Sequence, residues 1–238
     1  MTRKRYCVKI RKRKRARDFL RVTRITAKKA AGAHGFKFNL LSVYGRLKMK
    51  LVKDKQLVVG ADFAGFPLKE AVVAHLEKKG WQILDLGVKK DSDPNDTDLM
   101  FHRVGLRVGA MISEGEYERA LLFCGTGMGI HIAASKCPHV HAGVVESVPA
   151  ARRAITGNGV NVLAMGAFYV APAMGCDIAD AYLSATLGSD QTWWHNFYEF
   201  HKLAIDELEA FDYDEYKKNG FKVNKLGDYD LVLEDKPE

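Results

Sequence analysis

Short apolar runs alternate with helical patterns along residues 56–187, and this alternation limits the possible folds more than any other feature of the chain. The runs that we interpret as strands are residues 56–61, 81–86, 120–124, 141–145 and 161–165. Between and after them, apolar residues at helical spacing predict helices over 67–79, 102–114, 129–136, 148–156 and 172–184. Alternating strands and helices fold into a parallel sheet covered on both faces. The sequence therefore predicts an α/β three-layer sandwich around a five-stranded parallel sheet.

Charge divides the chain into a basic head and an acidic body. Residues 1–50 contain 18 Lys and Arg side chains against a single acid, Asp18, a net charge of +17. The rest of the chain contains 19 basic and 28 acidic side chains, a net charge of −9. We therefore expect three parts: a basic N-terminal extension (1–50), a folded domain (51–187), and a C-terminal helix and arm (188–238).

Three interpretations of the basic head are open. Six of the seven residues from 11 to 17 are Lys or Arg, and such a run repels itself and rarely folds alone. The head is a tail that binds nucleic acid or another anionic surface, or it is an organelle-targeting peptide. The third interpretation is that translation of the working protein starts at Met49 and the head is translated from the region upstream of that start. Because the head lacks interleaved aromatic residues and the body is acidic, we expect no nucleic-acid partner. We expect residues 1–50 to be disordered or absent from the working protein.

Composition excludes two further classes of protein. No run of eighteen apolar residues occurs, so a membrane-spanning helix is not expected. The four cysteines are too few for a disulfide scaffold and form no CxxC pair; they are Cys7, Cys124, Cys137 and Cys176. With no secretory signal in the sequence, we expect the protein in the reducing cytoplasm.

A glycine loop after the third predicted strand is the strongest candidate for chemistry. It reads Cys-Gly-Thr-Gly-Met-Gly over residues 124–129. Alternate glycines let backbone N–H groups approach a ligand, and the helix that follows directs its positive end to the same place. The loop matches neither the dinucleotide fingerprint nor the phosphate-binding P-loop. From the pattern alone, Cys124 is either a small core residue or a reactive thiol.

Three blocks of the body resemble the ribose-5-phosphate isomerase B family, which also includes the subunits of galactose-6-phosphate isomerase. The blocks are residues 59–70 (Val-Gly-Ala-Asp-Phe-Ala-Gly-Phe-Pro-Leu-Lys-Glu), 124–136 and 158–166 (Asn-Gly-Val-Asn-Val-Leu-Ala-Met-Gly). The resemblance implies a Rossmann-like sheet and homodimers or homotetramers with sites between subunits. It also implies aldose–ketose isomerisation of a sugar or sugar phosphate without a metal or other cofactor.

The resemblance also implies roles for individual residues. Cys124 matches the catalytic cysteine that moves a proton between C1 and C2, and Asp62 matches an aspartate that contacts sugar oxygens. The residues that match the loop stabilising the enediolate are Gly125, Thr126, Gly127 and Gly129. Phe63 and Asn158 complete the expected substrate contacts. Aldose–ketose exchange needs one base, and it needs N–H donors where charge develops on oxygen, so the chemistry agrees with these roles.

The chain departs from the family at several positions of the site. Phe63 replaces a histidine, and residues 97–100 keep none of a Tyr-Pro-Asp-Tyr stretch, although His102 matches the histidine that follows. The family's ring-opening histidine falls on Glu146. We therefore predict that Glu146 opens the sugar ring, because a buried carboxylate can act as a base near neutral pH. The alternative is that Glu146 is a solvated residue before a helix.

Arginines that hold the phosphate in the family are replaced here. Where the family has Gly-Ala-Arg, this chain has Gly-Ala-Phe over residues 166–168, so Phe168 replaces the arginine. Residues 191–198 (Gln-Thr-Trp-Trp-His-Asn-Phe-Tyr) replace an Arg-rich segment. Guanidinium groups are the usual ligands of phosphate. We therefore expect a substrate that is unphosphorylated, or whose phosphate is held by other residues. The candidates are Arg152, Arg153, His195 and Lys202.

The C-terminal part is expected to form one amphipathic helix over 197–211, in which Phe200, Leu203 and Leu208 share a side, followed by an extended arm. This part either covers the core or a partner subunit, or closes a neighbouring site through Trp193, Trp194 or His195. Five further histidines show no metal-ligand spacing; they are His34, His75, His139, His141 and His201.

Taken together, these features favour an aldose–ketose isomerase that acts through an enediol(ate), with Cys124 as the base. The alternative is a sugar-binding or scaffold protein that has the same fold and no catalytic activity.

Overall fold

The structure is a computed structural model that describes residues 53–223. The predictions for the basic head concern residues outside this range, as does the prediction of an extended arm for residues 224–238.

Strands and helices alternate along the described residues as the sequence predicted. The strands are β1 (Gln56–Ala61), β2 (Gln82–Asp85), β3 (Ala120–Cys124), β4 (Ala142–Val144) and β5 (Val162–Gly166). The α-helices are α1 (Phe66–Lys78), α2 (Phe101–Ser113), α3 (Met128–Ala134), α4 (Val148–Asn158), α5 (Pro172–Leu183), α6 (Phe197–Glu209) and α7 (Tyr213–Lys218). Two short 3-10 turns lie at Lys53–Lys55 and Thr97–Leu99.

The five strands form one parallel sheet in the order β2-β1-β3-β5-β4. Because they are parallel, their carboxyl ends share one edge of the sheet, which we call the carboxyl edge; the opposite side is the amino edge. From β1 the chain turns to β2 on one side and then crosses to β3 on the other. This reversal is where α/β sheets bind ligands.

Helices cover both faces of the sheet, which confirms the three-layer prediction. Successive strand residues face opposite sides, so Leu57 and Val59 pack with α1, α4 and α5, whereas Val58 packs with α2 and α3. The apolar positions predicted to share a face of α1 and of α2 are buried: Leu68, Val72, Leu76, Val104, Val108 and Ile112.

Two long cationic side chains lie in the core, which the apolar pattern did not predict. The Lys69 ammonium donates to Asp85 Oδ2 at 2.6 Å and to the Val88 carbonyl at 2.5 Å, which joins α1 to the segment after β2. The Arg119 guanidinium donates to the carbonyls of Tyr182 at 2.9 Å and Ala185 at 2.7 Å, which joins the start of β3 to the end of α5. Hydrogen bonds of this kind compensate the burial of the charge.

The C-terminal extension differs in part from the prediction. Helix α6 ends at Glu209, and the arm predicted to follow contains α7, whose N-cap, Asp212, accepts a hydrogen bond from the Glu215 N–H at 2.8 Å. The predicted extended arm is therefore wrong for these residues. Leu208 is 68% exposed, so it does not share a buried side with Phe200 and Leu203; the buried residue of α6 is Phe197.

The extension packs on α4 of its own chain. Arg153 donates to Gln191 Oε1 at 2.8 Å and lies 4.8 Å above the Phe197 ring, while Arg152 pairs with Asp190. No helix within residues 53–223 is long and apolar enough to cross a membrane.

Candidate functional site

Several residues of the predicted site follow strands at the carboxyl edge, together with Lys89, which was not predicted to belong to it. In the lateral order of the strands, Lys89 lies beyond β2, Asp62 follows β1, Cys124 ends β3, Phe168 lies beyond β5 and Glu146 lies beyond β4. Neighbouring strands are about 4.8 Å apart. Asp62 and Cys124 are therefore on adjacent strand ends, whereas Glu146 is two strands away from Cys124, about 10 Å.

Cys124 is buried in an apolar core cluster at the start of the glycine loop, and its thiol contacts the loop. Its sulfur accepts a hydrogen bond from the Gly127 N–H at 2.9 Å, and the residue is 4% exposed. Gly127 has a positive φ of 77°, which a residue with a side chain adopts only at a cost, and this turn directs its N–H at the sulfur. The sulfur thus has both apolar neighbours and a polar partner.

The main chain beyond β5 holds the glycine loop in position. The Ala167 N–H donates to the Cys124 carbonyl and the Phe168 N–H donates to the Gly125 carbonyl, both at 2.9 Å. A Cβ atom on Gly166 would lie 2.7 Å from the carbonyl carbon and oxygen of Thr126, so only glycine fits there. The Thr126 hydroxyl accepts from the Met128 N–H at 3.2 Å and so caps the start of α3.

Asp62 is placed by a similar backbone contact. Its Oδ1 accepts from the Gly65 N–H at 2.8 Å, and its own N–H donates to the Phe123 carbonyl at 3.3 Å. Burial raises the pKa of the Asp62 carboxyl above its ordinary value, an effect that hydrogen bonds from the Gly65 and Ala64 N–H groups oppose. The Asp62 main chain is therefore bonded to the residue that precedes Cys124, and its carboxyl is held by the turn that begins α1.

Two exposed phenylalanines lie against the loop, of which the sequence analysis identified Phe168. Phe101 is 42% exposed and Phe168 is 69% exposed. Phe63, the neighbour of Asp62 in the sequence, is 41% exposed. A methyl group on Gly125 would come within 2.5 Å of the Phe168 ring, and one on Gly129 within 2.6 Å of the Phe101 ring. The two rings therefore lie directly against the loop.

Glu146 and Asn158 are not brought to Cys124 within one chain. Glu146 is exposed and precedes Ser147, the N-cap of α4. This placement agrees with the alternative prediction, that Glu146 is a solvated residue before a helix. Asn158 ends α4 and therefore lies at the amino edge. There it lines a cavity of about 510 Å³ together with His139, His141 and other residues.

The cations proposed to hold a phosphate have partners inside the chain. Arg152 and Arg153 bind the extension as described above, and Lys202 pairs with Asp206 on α6. Lys89 and Lys90 instead lie exposed at the carboxyl edge, and within residues 53–223 their ammonium groups make no hydrogen bond or ion pair.

A second polar cluster at the amino edge was not predicted. The Glu209 carboxylate pairs with His139 Nδ1 through one oxygen and with His141 Nε2, at 2.8 Å, through the other. Since the partners lie 70 residues apart, no local pattern could indicate the contact. Within the described residues, no group of three or more His, Cys, Asp or Glu side chains is arranged to hold a metal ion.

Comparison with known proteins assigns the family. The family described as Ribose/Galactose Isomerase matches residues 57–193. A 4-deoxy-4-sulfo-D-erythrose isomerase from Clostridium sp. (strain MSTE9) is 34% identical over 163 residues, 68% of this chain and 99% of that protein. A D-erythrulose-4-phosphate isomerase from Pectobacterium atrosepticum is 30% identical over 129 residues, 54% of this chain and 82% of that protein.

A solved structure agrees with these relatives. Ribose-5-phosphate isomerase B from Mycoplasma genitalium, with bound ribulose-5-phosphate, has a TM-score of 0.55 and 26% identity over 68% of this chain and 96% of that chain. The Rossmann-like α/β fold and the enzyme class predicted from the sequence are thereby confirmed. The chain belongs to the Ribose/Galactose Isomerase family and is an aldose–ketose isomerase.

Proposed function

We propose that this isomerase acts through an enediolate with Cys124 as its single base. The Cys124 thiolate removes the proton from C2 of the open-chain aldose, and the electron pair moves onto O1 to form the enediolate. The thiol then returns the proton to C1, while a proton passes from O2 to O1, which leaves a ketone at C2. The observation that carries this proposal is the Cys124 sulfur, held by the Gly127 N–H one strand away from the Asp62 carboxyl.

The loop and Asp62 serve different parts of this reaction. The Gly127 and Met128 N–H groups already donate to Cys124 and Thr126, so the other loop N–H groups, those of Gly125, Thr126 and Gly129, are the ones that face the charge that develops on O1. A single well-placed donor contributes about 3 kcal/mol to such a step. Asp62 binds sugar hydroxyls. Its raised pKa favours a shared proton at this position, because burial disfavours the charged carboxylate.

We propose an open-chain, four-carbon substrate with a terminal phosphate or sulfonate. The two relatives described above are named for four-carbon substrates of this kind. When C4 carries the anion, no hydroxyl is left to close a five-membered ring, so the enzyme needs no ring-opening base. The exposure of Glu146 and its distance from Cys124 agree with this choice, and Lys89 and Lys90, which follow β2 at the carboxyl edge, are candidates to bind the anion.

We also propose that two copies of the chain complete each site. Asn158 and Cys124 were both predicted to touch the substrate, yet they lie at opposite edges of one sheet. Both predictions can hold only if Asn158 reaches the substrate held by the partner's Cys124.

The base is tested with Cys124→Ala and a substrate panel. Four-, five- and six-carbon aldoses, free and with terminal phosphate or sulfonate, are assayed for aldose–ketose conversion by NMR. We expect the highest kcat/KM for a four-carbon anionic substrate and a loss of about a thousandfold or more in Cys124→Ala, since a single base is removed. Cys137→Ala, a thiol outside the site, is the control. Sugar binding by the wild type without conversion or C2 exchange would instead indicate a non-catalytic sugar-binding protein.

The shared site is tested by mixing inactive variants. Cys124→Ala and Asn158→Ala proteins are unfolded together and refolded, or co-expressed with different tags, so that mixed dimers form. We expect up to about half of the wild-type turnover per mixed dimer, because one of its two sites is intact. A monomeric wild type in light scattering, or mixed dimers without activity, would contradict the proposal.

A further inference from the structure

The Phe168 and Phe101 rings flank the glycine loop and have no assigned role in the proposed reaction. Each ring lies against a glycine Cα, Phe168 at Gly125 and Phe101 at Gly129, so closely that a methyl group on either glycine would collide with it. The loop N–H groups proposed to stabilise the enediolate therefore lie between two aromatic rings. This arrangement depends on glycine at both positions.

The exposure of the rings is what requires an explanation. Cys124 is 4% exposed, whereas the Phe168 ring directly beside the loop is 69% exposed and Phe101 is 42% exposed. Large aromatic surfaces in water are unfavourable unless a ligand or partner covers them. Among residues 53–223, the ring contacts of Phe168 and Phe101 are edge-to-face, with Tyr169 at 6.5 Å and with His102 at 5.3 Å. Both rings nevertheless keep a large exposed surface.

From this geometry we infer that Phe168 and Phe101 are the walls that keep water from the enediolate and from the Cys124 thiol. The inference rests on the proposed function. When C1 and C2 of the sugar lie over the loop, their C–H groups contact the two rings. The rings form no hydrogen bond with water or with a further hydroxyl group. With water displaced, the loop N–H groups interact more strongly with the developing charge. The proton on the Cys124 sulfur is then returned to C1 before it exchanges with solvent.

The experiment measures the fate of this proton in Phe168→Ala and Phe101→Ala. Substrate deuterated at C2 is converted in H₂O, and the fraction of deuterium found at C1 of the product is measured by NMR or mass spectrometry. We expect each variant to lower this transferred fraction at least about twofold, with the larger fall in Phe168→Ala, because water reaches the thiol. Phe168→Tyr keeps the ring and is expected to retain the wild-type fraction. Phe221→Ala, an exposed ring on the C-terminal extension, is the matched control.

The outcomes separate this inference from the proposal on which it rests. If the wild type converts no sugar of the panel, the proposed reaction itself fails. If the wild type converts the substrate and Phe168→Ala transfers the same fraction of deuterium, shielding by the rings is overturned. Light scattering is run on every variant. A variant that dissociates while the remaining oligomer keeps the wild-type fraction would assign the rings to subunit contact and overturn the inference as well.

Discussion

The two edges of the sheet are held together by different kinds of contact. At the carboxyl edge, loops meet main chain to main chain, and Gly65 and Gly166 leave no room for a Cβ atom. At the amino edge, side chains make the connections: Arg119 reaches two carbonyls, and Glu209 joins two histidines. Backbone contacts of this kind have no side chain that can adjust. We therefore expect a side chain added at the close-packed glycines of the carboxyl edge to cost more than the loss of a side-chain contact at the amino edge.

The largest expected effect is that of Gly65→Ala at the carboxyl edge. The new Cβ would lie 2.3 Å from the carbonyl carbon and oxygen of Phe123, which cannot move without β3. We expect the free energy of unfolding in urea to fall by about 3 kcal/mol or more. In the control Gly143→Ala, the nearest atom is a Val160 methyl at 3.2 Å, and we expect a loss below about 1 kcal/mol. Equal losses in the two variants would contradict the comparison.

At the amino edge, Arg119→Met is expected to have the largest effect. The substitution keeps the aliphatic volume but leaves the buried carbonyls of Tyr182 and Ala185 without their donor. We expect a loss of about 2 kcal/mol in the free energy of unfolding, with kcat/KM of the folded protein unchanged. Arg103→Met, which breaks an exposed pair with Asp98, serves as the control and should change stability by no more than about 0.5 kcal/mol. A comparable loss of stability in Arg119→Met and Arg103→Met would contradict the prediction that the buried arginine contributes more than the exposed one.

Glu209→Gln tests the histidine contacts of the amino edge. The carboxylate and His141 are partly buried, so we expect a loss of about 1 kcal/mol or less. Amide hydrogen exchange in α6 should become faster while exchange in β3 does not change. Glu215→Gln, which breaks the exposed pair with Lys218, is the control. Unchanged exchange in α6 would show that Glu209 does not hold the extension.

Asp62→Asn is expected to have the smallest effect on stability, and the effect depends on pH. Burial raises the pKa of Asp62 in the folded protein, so the wild type gains stability from this carboxyl below about pH 3.8 and loses it as the pH rises through the folded value. Asparagine carries no such charge. At pH 7 the variant should therefore be more stable than the wild type, by less than about 1 kcal/mol because the group is half-exposed. Urea melts at pH 7 and pH 3.5 measure the difference, which should disappear at the lower pH.

The sequence predicted the fold because it depends on local patterns. Apolar spacing located the strands and the buried faces of α1 and α2, and short motifs identified Asp62 and Cys124 as candidate site residues, which the fold places after adjacent strands. The lateral position of β4, which separates Glu146 from Cys124, depends on how the sheet is assembled, and no local pattern shows it. The contact of Phe101 with Gly129 and the pairs of Glu209 with two histidines join distant segments, so only the folded chain reveals them.

The hydrogen bonds from Ala167 and Phe168 to the Cys124 and Gly125 carbonyls have a consequence for how the enzyme can change. Since main-chain atoms alone set the location of the sulfur, the side chain at position 168 can be exchanged without shifting the Cys124 thiol. The placement of the thiol and its proposed shielding from water therefore depend on different parts of residue 168, the main chain and the ring. A library restricted to position 168 should vary the access of water to the thiol while each member keeps the sulfur in the same place.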